Sequence, residues 1–390
     1  MISVSEAIQH IENHFSKMPL VIKPIEKTLG YILGEDIISP INMPPFKQSA
    51  MDGYAFVHSN NNDYLVSGEV PAGSNENFPV NYDEAIRIFT GSRIPDDADT
   101  VVMQEHTERK GDNLKITTLP EKGANVRPLG NQIKIGDVAL KTGTYLNEGA
   151  IGFLAGLGIT KVQVYKKPKV SILVTGNELQ KVGKKLKEGQ VYDSNSITLK
   201  LALKQLGIKK VRISKVKDTF KAIFKTIKIE LKKSDVVLIS GGISVGDYDF
   251  VKQALHDNEV AEVFYKVNQK PGKPLWFGYN DTTKVFALPG NPASSLSCFY
   301  MYVLPLLKAH LGYSNPYLPK EKAILNSDIK NKFGKTLFLK GTVENGQATL
   351  LDGQASSMLK SFAVCNALLV VPKDETLIEK GQKIEYIKLI

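Results

Sequence analysis

The sequence predicts a multidomain α/β and β protein, and two changes of grammar along the chain carry that expectation. Between residues 168 and 317, apolar strand-like runs alternate with segments of helical period, the pattern of a mostly parallel sheet covered by helices on both faces. On either side the apolar runs are short and β-like, broken by Gly, Pro, Asn and Asp, the pattern of small β modules. With 390 residues, the chain also exceeds one average domain of ~100–200 residues.

The elements follow in chain order. In "MISVSEAIQHIENHF", Val4, Ala7, Ile8, Ile11 and Phe15 share one helical face, without the basic start and apolar centre of a signal peptide, so a folded amphipathic helix and a cytoplasmic protein are expected. Residues 46–140 hold the runs "YLVSG", "AIRIF", "TVVMQE" and "LKITTL" and read as a β module. That module is inserted into an arm built from the flanks, 1–45 and 141–167, where "NEGAIGFLAGLGI" (147–159) reads as a helix. The α/β domain, 168–317, opens with the buried strand "KVSILVT"; Asn195 is expected to cap a helix through Leu206. Then come "VRISKV", a helix carrying Phe220, Ile223, Phe224, Ile227 and Leu231, the strand "DVVLIS", and a helix beginning near Tyr248. The strands "AEVFYKV" and "VFALP" follow, and a helix with Asn291 as cap and Pro292 in its first turn. Residues 318–390, with "TLFLKGTV", "QATLL", "ALLVVP" and "KIEYIKL", form a separate C-terminal β-barrel.

Composition narrows the function classes. A chain 42% apolar and 23% charged, with no run of ~20 apolar residues, has no membrane-spanning segment in prospect. Cys298 and Cys365 stand far apart, so neither a disulfide framework nor a zinc site is indicated. His10 and His14 lie one helical turn apart, but without an acidic third ligand they read as a solvated helix face. Fifty Lys and Arg against forty Asp and Glu favour anionic partners. The lysines are spread along the chain, and no arginine-rich or aromatic-interleaved stretch points to nucleic acid.

Ligands of a doubly wound sheet lie beyond the carboxyl ends of its strands, where four polar loops fall. They are "TGNEL" with Glu178, "KDT" with Asp218, "GGISVGDYD" (241–249) and "LPGNPASS" (288–295). Glycines after a strand let backbone amides approach a phosphate, yet Asp247 and Asp249 would repel it unless a divalent cation or a lysine intervenes. Residues 241–246 keep the spacing of a phosphate loop but are followed by Asp247 where that motif needs lysine, which excludes an ordinary nucleoside triphosphatase. The cations stand instead in "QKPGKP", as Lys270 and Lys273. Taken singly, each feature has an ordinary reading as a turn, a cap or a solvated charge. Four such loops on one rim make a binding site.

The stretches "FKQSAMDGYAF", "FTGSRIPDDADTVVMQE", "VTGNEL", "DVVLISGGISVGDYDF", "KPGKP" and "LPGNPASS", in that order, resemble the molybdopterin molybdenumtransferase family, the MoeA-like proteins related to the gephyrin E domain. The resemblance spans essentially the whole chain. It implies an elongated arm, an inserted β module, a molybdopterin-binding α/β domain, a C-terminal β-barrel, and a homodimer whose active sites each draw on both subunits. The implied reaction takes adenylylated molybdopterin and molybdate, inserts molybdenum into the dithiolene and releases AMP, with the adenylyltransferase of the preceding step as a further contact. Mg2+ is the implied cofactor, held by Glu178, Asp218 and Asp249. The implied catalytic set is Asp52, Thr90, Glu178, Asp218, Asp249, Lys270 and Lys273. Substrate contacts are implied at Ser49, Met51 and Gly91 in the β module. In the α/β loops they fall at Gly176, Ser194, Asn195, Ser240, Gly241, Gly242, Ser244, Gly246, Pro289, Gly290, Asn291 and Ser294, and in the tail at Lys335 and Ser361.

Three positions depart from the family pattern: Lys335 stands for an arginine, Ala363 for an arginine after Ser361, and "GNQ" (130–132) for "GED". Lysine keeps the charge and loses the planar fork. The other readings of the same residues are a molybdopterin adenylyltransferase, which would not need the arm, module or barrel, and a non-catalytic dimeric scaffold, which would not need the rim's charged groups in register.

Overall fold

Helix α1 (Val4–Glu12) starts where a capping box starts it: Ser3 Oγ accepts the Glu6 amide and the Glu6 carboxylate accepts the Ser3 amide. Its apolar face packs on the α/β core, with Ala7 and Ile11 buried there, and Phe15, just past the helix, joins them. Burying a side chain such as Ile11 stabilises by about 1.5–3 kcal/mol. His14 follows the same face inward, its ring against Phe277 and Tyr279.

The computed structural model describes residues 1–74, 76, 78–243 and 250–389. They divide into two units: Met1–Ile22, Gly30–Gly34 and Gln163–Ile390 make one, Lys23–Leu29 and Glu35–Val162 the other. The second unit holds a six-stranded sheet of β1 (Gly53–Phe56), β2 (Asp63–Val70), β3 (Glu84–Ile88), β4 (Thr100–Met103), β5 (Thr107–Lys110) and β6 (Asn113–Ile116). Their order is β4-β1-β3-β2-β6-β5, and only β2 and β3 pair in parallel. Alternation buries both faces, Ala55, Ile86 and Ile88 on one, Tyr54, Phe56 and Val102 on the other. Helix α2 (Glu148–Gly156) is capped by Asn147, whose Oδ1 accepts the Ala150 amide.

In the first unit lie β7 (Val170–Thr175), α3 (Asn195–Gln205), β8 (Val211–Val216), α4 (Phe220–Leu231), β9 (Val236–Ser240) and α5 (Phe250–His256). They are followed by β10 (Ala261–Tyr265), β11 (Trp276–Tyr279), β12 (Lys284–Leu288), α6 (Pro292–Cys298) and α7 (Leu304–His310). The sheet order is β8-β7-β9-β12-β11-β10. The first four strands are parallel, β11 runs antiparallel to β12, and β10 pairs antiparallel with β11, so the sheet is mixed. The reversal comes from the tight return between β11 and β12, where Asn280 Oδ1 accepts the amides of Thr282 and Thr283; sequence reading passed over β11. Successive residues point to opposite faces: Ile172, Leu238 and Phe286 meet α1, α3, α6 and α7, while Leu173, Val237 and Val285 meet α4 and α5.

The chain ends in β13 (Lys320–Leu325), β14 (Thr336–Glu344), β15 (Gln347–Leu350), β16 (Ala367–Val371) and β17 (Lys383–Lys388). Pairings in the order β14-β15-β13-β17-β16, closed by β16 with β14, make a five-stranded barrel. Closure removes free strand edges. Among the described residues, no helix is long and apolar enough to cross a membrane.

One buried carboxylate ties α4 to the sheet. Glu230, 2% exposed, accepts from Arg212 Nε at 2.8 Å, Ser171 Oγ at 2.7 Å and Ser214 Oγ at 3.2 Å. Burial alone would raise its pKa, but the bonds from Arg212 and Ser171 outweigh burial and hold it below the ordinary 4.5. A carboxyl lowered on folding contributes stability that is fully present above its unfolded value and lost as pH falls through the folded one. Replacing Glu230 by Gln is therefore expected to cost about 1–3 kcal/mol at neutral pH. In urea unfolding, the gap between variant and unaltered protein should shrink as the pH drops below about 4.5; a gap independent of pH would contradict the charge-based account.

Candidate functional site

A cleft of about 610 Å3 opens where the strand order of the α/β sheet reverses, between the carboxyl ends of β7 and β9. Its wall takes residues from every loop of that rim: Thr175, Gly176 and Glu178 after β7, Asp218 after β8, Ser240, Gly241, Gly242 and Ile243 after β9, and Pro289 to Pro292 after β12. Ser194 and Asn195, at the start of α3, complete it from above the sheet.

Asn195 was expected to cap α3. In the structure it is the first helical residue, and Asp193 does the capping, accepting the Ser196 amide at 3.0 Å and the Ser196 hydroxyl at 2.6 Å. Relieved of that task, the buried Asn195 side chain turns inward and donates to Ser240 Oγ and to the Gly290 carbonyl, each at 2.8 Å. A single amide thus fixes the spacing of three loops. Ser240 Oγ accepts that bond. Asn291 stands at the cap position of α6, yet its amide donates to Ser356 Oγ, and the Ser356 carbonyl accepts the free Ala293 and Ser294 amides. The barrel loop supplies the acceptor that sequence reading had assigned to Asn291.

Gly241 has φ +91°, and a Cβ there would stand 2.7 Å from the Thr175 carbonyl oxygen. The glycine backbone therefore lies directly on the end of β7, and its amide donates to the Leu288 carbonyl at the end of β12 at 3.4 Å. Two wall groups lack hydrogen-bond partners among the described residues: the buried hydroxyl of Thr175 and the Asp218 Oδ1 atom. Buried polar atoms of that kind cost stability unless a ligand satisfies them. Asp218 is tied back through its amide, which donates to Asn177 Oδ1 at 3.2 Å. Ser244, Gly246 and Asp249 lie outside the described residues.

The comparisons with known proteins bear on this rim directly. Three family models match in sequence: the MoeA N-terminal region (domain I and II) over residues 2–158, a probable molybdopterin binding domain over 171–309, and the MoeA C-terminal region (domain IV) over 322–389. A protein named molybdopterin molybdenumtransferase from Haemophilus influenzae is 36% identical over 92% of this chain and 91% of its own. The chain belongs to the MoeA family of molybdopterin molybdenumtransferases. A Staphylococcus aureus protein of the same name is 32% identical over 99% of this chain and 95% of its own. The solved molybdopterin biosynthesis moeA protein from Pyrococcus horikoshii OT3 superposes with a TM-score of 0.84 at 30% identity, covering all of both chains.

The family's β-module motifs form a cluster of their own in the second unit. Asp52 Oδ1 accepts both the amide and the hydroxyl of Thr90, each at 2.7 Å, and these two bonds hold its carboxyl below the usual carboxylate range. Ser49 Oγ donates to the Met51 carbonyl and the Gly91 amide to the Ser49 carbonyl. Asp52 and Thr90 are exposed.

In the first unit, the "QKPGKP" turn runs beside the barrel: Gln269 and Lys270 pair in parallel with Thr336 and Leu337, next to Lys335. Lys270 Nζ stands 3.5 Å from the centre of the Phe333 ring. Lys273 is exposed, and Pro274 is the residue of that turn that reaches the cleft wall. Gln269, 1% exposed, holds the turn from within by donating to the Gly272 carbonyl and accepting from the Tyr302 hydroxyl. Ser294 is buried in α6, and Ser361 donates within the barrel loop to the Gly353 and Met358 carbonyls.

Sequence reading missed Lys340. It is 1% exposed, and its ammonium donates to the carbonyls of Gly353, Met358 and Ala355 at 2.7, 3.1 and 3.3 Å. Burial lowers its pKa, and the three carbonyls stabilise the charge. Lys340 thereby shapes the loop whose Ser356 caps α6 and whose Ser357 lines the cleft. The available signal was a lysine within the apolar run "TLFLKGTV" of a strand.

Gly241→Ala is expected to cost about 2 kcal/mol or more, from left-handed strain plus the clash with Thr175. Gly183 supplies the control, because its φ is +86° but nothing lies within 4 Å of an added Cβ. Urea midpoints should fall further for Gly241→Ala than for Gly183→Ala; equal losses would remove the close approach from the account.

Proposed function

We propose that this protein inserts molybdenum from molybdate into adenylylated molybdopterin and releases AMP, the insertion step of molybdenum cofactor biosynthesis. The observation that supports this most is the cleft itself, which gathers glycine backbone, the unpartnered Thr175 hydroxyl and carboxylates at the rim of the α/β sheet. Family membership supplies the substrate class; the cleft supplies groups suited to it.

The chain's own residues divide the work. The backbone amide of Gly242 and the hydroxyls of Ser240 and Thr175 donate to phosphate oxygens, and Ser244 and Gly246, which follow in the sequence, are assigned the same task. Asn195, by clasping Ser240 and Gly290, keeps these donors at fixed spacing before substrate arrives. Pro289, Gly290 and Asn291 line the cleft beside them, with Gly290 packed close to Gly241. Lys270 and Lys273 hold the molybdate oxyanion, with Lys335 beside them. Asp52 and Thr90 complete the site from the second subunit of a homodimer.

Mg2+ fits the donors present: Glu178 and Asp218 line the cleft, and the buried, unpartnered Asp218 Oδ1 is what a hard cation would satisfy. Asp249 would be the third carboxylate. When bound, the ion offsets their charge and withdraws electron density from the phosphoanhydride oxygens.

The decisive test is incubation with adenylylated molybdopterin, molybdate and Mg2+, following AMP and active cofactor together. One AMP released for each cofactor formed is expected, and absence of AMP release at saturating components would overturn the assignment. Asp218→Asn should lower AMP release on the order of 100-fold, with the unfolding midpoint little changed; full activity at saturating Mg2+ would remove Asp218 from the site.

Subunit sharing makes a separate prediction. Co-expressing Asp52→Ala with Asp218→Asn chains, each strongly impaired alone, should restore activity well above either, because about half the dimers are mixed and roughly a quarter of all clefts escape both lesions. If both variants dimerise and co-expression recovers nothing, the site lies within one subunit.

A further inference from the structure

The cleft assigned above to a polyanion carries Glu178, Asp193 and Asp218 on its wall, and no lysine or arginine among its described lining residues. Such a wall repels the ligand at a distance, before short-range donors or a cation act on it. Besides Lys270 and Lys273, a second group of positive charges stands on one segment rooted in that wall. Leu179 and Gln180 pair in parallel with Val191 and Tyr192, and Leu179, Val191 and Tyr192 line the cleft, so residues 181–190 form a flap rooted in its wall.

That flap carries Lys181, Lys184, Lys185 and Lys187 against the single carboxylate Glu188. All four lysines are exposed, and among the described residues none has a carboxylate within ion-pair distance. The flap has a defined shape. Tyr192 donates from its hydroxyl to the Lys184 carbonyl at 2.9 Å, and Gln190 Oε1 accepts the Lys187 amide at 3.0 Å and the Gln180 side-chain amide at 3.4 Å. Lys215 donates to the Leu179 carbonyl and so anchors the root to β8. Four unpaired ammonium groups on a braced loop at a cleft's edge produce a local field that raises the concentration of anions there.

We infer that the 181–187 flap is the electrostatic capture surface for the multiply charged, phosphate-bearing substrate of this cleft, which rests on the reading of the cleft under Proposed function. Capture by the flap governs encounter. The carboxylate wall then acts only at contact range.

The test compares full-length protein with two quadruple variants of equal charge loss. One is Lys181→Gln, Lys184→Gln, Lys185→Gln and Lys187→Gln; the other is Lys322→Gln, Lys330→Gln, Lys380→Gln and Lys383→Gln, four exposed barrel lysines away from the cleft wall. At an ionic strength of about 20 mM, where screening is weak, the flap variant should lose about tenfold in kcat/KM for adenylylated molybdopterin. Its decline of kcat/KM with added KCl should flatten, while the barrel variant stays within about twofold of the unaltered protein. An unchanged kcat/KM and salt slope in the flap variant overturns the inference, as does an equal loss in the barrel variant. Equilibrium titration with AMP and with inorganic pyrophosphate separates this from the function itself. If the unaltered protein turns over no adenylylated molybdopterin, the assigned reaction fails, while weaker and less salt-dependent AMP binding by the flap variant alone still supports capture. Equal AMP and pyrophosphate affinity in all three proteins, or no binding to any, overturns it.

Discussion

The side-chain amide of Asn195 organises the rim on which everything else depends. Its two hydrogens go to Ser240 at the end of β9 and to Gly290 in the turn after β12, so the start of α3 and two strand exits are locked together by one planar group. A buried amide with both hydrogens satisfied specifies geometry as much as it stabilises, because any loop shift leaves a donor unpaired at a cost of about 1–3 kcal/mol. Asp193 makes this possible by capping α3 in its place.

Around that clasp the electrostatics are divided by depth. Carboxylates line the cleft, exposed ammonium groups stand on the flap at its edge, and Lys340 sits beneath the 353–358 loop on the outer face of β14, with its charge spent on three carbonyls. The same type of residue does unlike work according to burial: exposed lysines shape a field, whereas the buried one shapes a loop. Through Ser356 that loop caps α6, so the C-terminal barrel takes part in building the wall of the α/β cleft. The barrel is thus joined to the site by hydrogen bonds at a helix start, where amides without intrahelical partners must find acceptors.

Much of this was legible in the sequence. The buried runs 169–175 and 235–240 read as strands because parallel strands covered on both faces are continuously apolar, and they are β7 and β9. The carboxyl-end loops were found by their glycines and carboxylates, and the family by its motifs. Strands β11 and β13 escaped. "WFGY" follows two prolines and reads as part of a stiff turn, and "KEKAIL" is charged over half its length, so neither shows the apolar period of a strand.

The sequence by itself determined the order of elements, the polar loops on one rim and the family, because apolar period, glycine placement and long motifs are local properties of the chain. Only the tertiary structure decided what individual side chains do there. Asn195 and Asn291 both looked like helix caps, and each donates instead to a residue 45 to 95 positions away. Lys340 looked like one more lysine in a strand until the 353–358 loop folded over it and buried it among carbonyls. A hydrogen bond is chosen by which partner lies within about 3 Å after folding, and sequence spacing does not contain that distance.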